Sequence, residues 1–193
     1  MSDSKTSRSI TKLAMVAFTA TLLVEAAINP ALAVTQGTRG ATSTGSVNIT
    51  VAKASQARIS GLSDLTLPGY SIGDGNKTLS TTACVYSTGG SYTVKATGSG
   101  GSNAFTLASG ANTIPYTIVW NSGGVGALGT TGMGLTTNVT SATLLHAATD
   151  SATCAGAAPG PTAQVNVNIS GANLDAAPAG TFTGTLTLLV ISV

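Results

Sequence analysis

The chain has a single histidine, His146, and Asp150 follows it four residues later. On a helix, residues four apart face each other, and one of the many serines would complete a Ser-His-Asp set for acyl transfer. In so serine-rich a sequence such a match carries almost no information. The local stretch "SATLLHAAT" (141–149) also reads as strand, not helix. A surface or interface histidine is the better reading. Asp64 and Asp74 form the next candidate pair, since two carboxylates flanking one bond divide acid and base work in glycosidases. Both lie in turn-like sequence, "GLSD" and "GDGNK", where aspartate usually makes turns. "DGN" echoes a calcium loop but lacks the remaining acidic ligands. "GSGG" (98–101) is not followed by the helix that a phosphate loop needs. Cys84 and Cys154 lack metal-ligand spacing. Beyond residue 33 there is no glutamate. We therefore expect no catalytic residue, metal ligand or cofactor, and a chain that binds or builds and is not an enzyme.

The first 33 residues read as an export signal. Lys5, Arg8 and Lys12 give a positive start, "LAMVAFTATLLV" (13–24) is apolar, and Ala31-Leu32-Ala33 offers the small-x-small cleavage pattern. The apolar run is shorter than a membrane span, and Glu25 and Pro30 follow it, so cleavage after Ala33 is the better reading over an uncleaved anchor. The mature chain, 34–193, is one domain's worth of sequence. Its charges are few: Arg39, Lys53, Arg58, Lys77 and Lys95 against Asp64, Asp74, Asp150 and Asp175. No basic patch points to nucleic acid. Ser, Thr, Asn and Gly fill the polar positions, which suits a protein that packs against copies of itself. An even cysteine count in an exported chain reads as a disulfide, Cys84 to Cys154, closing a loop of about seventy residues worth about 4 kcal/mol in the chain-entropy model. Two free buried thiols are the alternative.

Almost every periodic segment has period two, the signature of strands with one buried face. "SVNITVAK" (46–53) puts Val47, Ile49 and Val51 on one face. "LSTTACVYS" (79–87) and "SYTVKAT" (91–97) flank a "TGG" turn signal. "NAFTLAS" (103–109) and "TIPYTIVW" (113–120) follow, with Pro115 marking an edge or a bulge. "AQVNVNIS" (163–170) alternates cleanly, and "AGTFTGTLTLLVISV" (179–193) runs to the last residue. No segment beyond the signal shows a sustained helical stripe. "TQGTRGATSTG" (35–45) reads as a flexible leader and "NSGGVGALGTTGMG" (121–134) as a glycine-rich loop. Seven or so short strands predict an all-β, immunoglobulin-like β-sandwich with Trp120 in or beside the core.

Four stretches together resemble chaperone–usher pilus subunits, in particular the archaic and alternate branches with spore-coat-U-like and colonisation-factor pilins. "SVNITVAKA" (46–54) is similar to the N-terminal donor segment of those subunits. "CVYSTGGSYTV" (84–94) is similar to a cysteine-to-tyrosine strand, "TIPYTIVWN" (113–121) to a mid-domain strand with a Tyr/Trp-bearing end, and "PAGTFTGTLTLLV" (178–190) to the closing motif. The glycine-rich insert at 121–134 and Lys53 depart from that pattern.

The resemblance implies an incomplete sandwich, finished by a strand donated from a neighbour, a form of β-augmentation. The chain would then divide into a signal (1–33), a flexible leader with donor strand (34–54) and a sandwich domain (55–193). Val47, Ile49 and Val51 would be donor residues, and Phe182, Leu186, Leu188 and Val190 would line or flank the acceptor groove. Implied partners are neighbouring pilin subunits, a periplasmic chaperone and an outer-membrane usher. The chain would pass through the periplasm, with no membrane anchor after cleavage, to a cell-surface fimbrium serving adhesion or biofilm formation. The alternative is a self-contained exported sandwich that binds carbohydrate or another surface ligand, with Trp120, Tyr116 and Tyr70 as an aromatic platform.

Overall fold

A computed structural model describes residues 34–155 and 160–193; the expected signal segment, 1–33, lies outside the described residues. The chain divides between Val51 and Ala52 into two units. In the first, the Ser46 amide donates to the Thr35 carbonyl at 3.0 Å, closing the leader into a loop. The strand expected over 46–53 does not form. A strand exists only where its amides and carbonyls find a ladder partner, and among the described residues this stretch has none beyond Ser46.

The second unit is a β-sandwich. Its first layer is an antiparallel sheet of β1 (Ala57–Ser60), β2 (Lys77–Ser87), β8 (Ala163–Ile169), β6 (Thr117–Asn121) and β7 (Met133–Leu135), in the order β1-β2-β8-β6-β7. The opposing layer is built on β3 (Tyr92–Gly98) and β9 (Leu186–Ser192), paired antiparallel with Val94 opposite Val190. β4 (Thr106–Ser109) and β5 (Asn112–Pro115) form a separate hairpin, and β4 also bridges Thr183 just before β9. As Pro115 predicts, the long strand breaks there: β5 ends at Pro115 and β6 resumes at Thr117.

Alternation sets which side chains meet between the layers. Val165, Val167 and Ile169 of β8 and Ile118 and Trp120 of β6 face Tyr92 and Val94 of β3 in one cluster. Trp120 is 1% exposed; its indole N–H donates to the Tyr92 hydroxyl at 3.0 Å, and the two rings meet edge to face at 6.3 Å. Phe105 stacks on Tyr116 at 5.7 Å. The turn from β2 to β3 requires Gly89, where a Cβ would lie 2.7 Å from the Val193 carbonyl oxygen.

Three further elements differ from expectation. "SATLLHAAT" is not a strand, though it runs beside β3: Thr140 and Leu144 make isolated bridges to Lys95 and Tyr92. The Ser141 hydroxyl accepts from the Val94 amide at 3.0 Å, so a side chain interrupts the backbone ladder. A six-residue helix, α1 (Gly171–Ala176), follows β8, capped by the Ser170 hydroxyl accepting from the Asn173 amide. It is too short to show a stripe. β7 emerges from the end of the expected glycine-rich loop.

Candidate functional site

The terminal strand is paired along one edge only. β9 pairs with β3 along one edge; among the described residues nothing pairs with its other edge. β1 lies beside it and is likewise paired on one edge only, with β2. Two strands of opposite layers, each paired on one edge only, thus lie side by side.

Leu186, Leu188 and Val190 alternate toward the core, and Phe182 joins them from the preceding turn. All four are only partly buried, whereas Val94 and Ala96, opposite Val190 and Leu188, are fully buried. Burial is therefore deeper on β3 than on β9. Ile59 of β1 is also partly buried. On its outer face β9 shows Leu189 and Ile191, both exposed, with exposed Val193 just beyond it, so this strand carries apolar side chains on both faces. Hydroxyls hold the end of β9. Ser192 shares hydrogen bonds with Ser55 (3.0 Å) and Ser87 (2.7 Å), and Ser91 donates to the Val193 carbonyl at 3.1 Å. Ile59 and this serine clasp escaped the sequence reading, because "ARIS" is too short to show alternation and serines are everywhere.

In the first unit, Val47, Ile49 and Val51 are 68%, 84% and 86% exposed. Three β-branched side chains at alternate positions therefore stand in water, an unfavourable arrangement that strand pairing elsewhere would relieve.

The remaining candidates separate. Cys84 and Cys154 form a disulfide with 5.7 Å between Cα atoms, tying the middle of β2 to the irregular segment before β8. His146 is exposed with φ +70°, outside any helix, so the four-residue spacing to Asp150 does not produce a helical pair. Asp74 meets Lys77 at 3.7 Å and accepts from the Ser71 amide, while Asp64 is exposed in the loop between β1 and β2. Among the described residues, no three His, Cys, Asp or Glu side chains gather as a metal site. Trp120 and Tyr116 belong to the core, 1% and 7% exposed. The Tyr70 hydroxyl donates to Asp175 at 2.7 Å, and the Gly73 amide donates to the same oxygen at 3.0 Å. These two bonds hold the Asp175 carboxyl below its ordinary range, the tyrosine first. Burial, then the Asp175 contact, pushes Tyr70 up to about 12.

Compared with known proteins, the chain matches no family model and no curated protein.

Proposed function

We propose that this chain is the structural subunit of a surface fibre built by strand donation. The observation that carries this reading is the half-paired terminal strand: among the described residues β9 is paired along one edge only, and its inner side chains are only partly buried. The exposed, alternating Val47, Ile49 and Val51 supply the complementary element. In this reading the arm of one copy enters a slot between β1 and β9 of the next and completes an immunoglobulin-like sandwich. Burying each arm side chain contributes about 1.5–3 kcal/mol, and the backbone ladder adds to this. Such a joint opens slowly.

The resemblance to chaperone–usher pilins extends the proposal. The first 33 residues export the chain, a periplasmic chaperone covers the slot, and an outer-membrane usher exchanges chaperone for arm. The fibre on the cell surface then serves adhesion or biofilm formation, a role that needs no catalytic set.

The test compares unheated and heated samples of the refolded protein on a denaturing gel, beside Ile49→Lys. We expect a heat-sensitive ladder that the substitution abolishes. A single monomer band for both proteins, with the fold intact by circular dichroism, overturns the reading.

A further inference from the structure

A cleft of about 330 Å³ opens where the ends of β2, β8 and β6 meet α1. It lies at the small end of the range for ligand sites. Thr78, Asn168 and Thr117 stand in register across the three strands, forming a row of hydroxyl and amide groups. Asn76 and Asn173 line the cleft beside them, and Pro115 contributes an apolar surface.

The amides are oriented by the fold. Asn76 accepts from the Gly171 amide at 2.9 Å and Asn168 accepts from the Thr78 hydroxyl at 2.7 Å, so each keeps its NH2 group for another partner. Asn173 donates to the Pro115 carbonyl at 3.4 Å, which leaves its own carbonyl as an acceptor. Two fixed donors and a fixed acceptor thus share one cavity. No carboxylate lines it, and its single cation, Lys77, is paired with Asp74. A neutral ligand that offers both donors and acceptors and has an apolar face for Pro115 suits this lining. A sugar ring has all three properties.

We propose that this cleft binds a neutral saccharide residue, with Thr78, Asn168 and Thr117 reading its hydroxyls. It lies on the polar side of the β2–β8–β6 sheet and does not depend on how the β9 slot is filled.

Saturation-transfer NMR on the folded protein, which tolerates polymers, tests it. The probes are glucose, galactose, mannose, N-acetylglucosamine, lactose and cellobiose, with N-acetylneuraminic acid as the charged comparison. At least one neutral sugar should receive saturation, and its affinity should fall about tenfold or more in Thr117→Val and in Asn168→Ser. Near-UV circular dichroism of Trp120 should be unchanged in both variants. Absence of transfer to every neutral sugar overturns the proposal. So does binding that survives both substitutions, or binding confined to the charged sugar.

Discussion

The most constrained side chains are the two rings that join the layers. Tyr92 is fully buried, and its hydroxyl accepts the indole N–H of Trp120. Tyr92→Phe strands that indole donor, and we expect a loss of about 1–3 kcal/mol in chemical denaturation. Burial pushes the Tyr92 hydroxyl up to about 12, against the opposing hydrogen bonds of Trp120 and Ser122. Folding therefore favours the neutral phenol. This contribution is complete below the ordinary tyrosine value near 10 and is lost as pH rises from there through about 12. Phenolate absorbance should thus lag in the native protein and return to the ordinary range when denaturant is added. Asp175 runs the other way. Its lowered value gives a contribution present above the usual aspartate range and lost as pH falls through the folded value. Trp120 as a core residue and the cysteine pair were legible from the sequence. The Tyr92 contact was not, because nothing in the spacing of residues 92 and 120 says that they face each other across two layers.

Among the elements, the disulfide and the terminal strand carry the sharpest expectations. The Cys84–Cys154 bond closes a separation of 70 residues that takes in β3 to β7, and it anchors an irregular stretch that makes isolated bridges to β2 and β3. Replacing both cysteines by serine should cost about 4 kcal/mol, read as a drop in the unfolding midpoint under non-reducing conditions. β2, β3, β8 and β9 were legible because each runs for seven residues or more. β1 and β7 span four and three residues, too few for a period to show. The segment 46–53 alternates as well as any strand, yet it stays single. Its pattern specifies a face to bury and not where the partner lies. The same limit applied to β9: its inward residues could be read, but not that its far edge would be bare.

At the scale of the whole molecule, the scarcity of charge becomes a property. The Lys77–Asp74 contact is the single salt bridge among the described residues, so raising the salt concentration should leave stability within about 1 kcal/mol. All five basic residues beyond residue 33 lie between Arg39 and Lys95, and Lys53 follows Val47, Ile49 and Val51 in an exposed, unladdered stretch. Trypsin should therefore cut a free monomer rapidly after Lys53. A completed fibre should protect that bond, and equal cleavage of both would count against strand donation. The β3–β9 ladder bears on the response to force. Its seven register pairs alternate between hydrogen-bonded and non-hydrogen-bonded, and the bonds lie at right angles to the strand axis. A pull along β9 loads the bonds together, in shear, whereas a pull across it peels them one at a time from an end. The protein should therefore be mechanically anisotropic, stiff when stretched along its last strand and compliant when the same strand is lifted sideways.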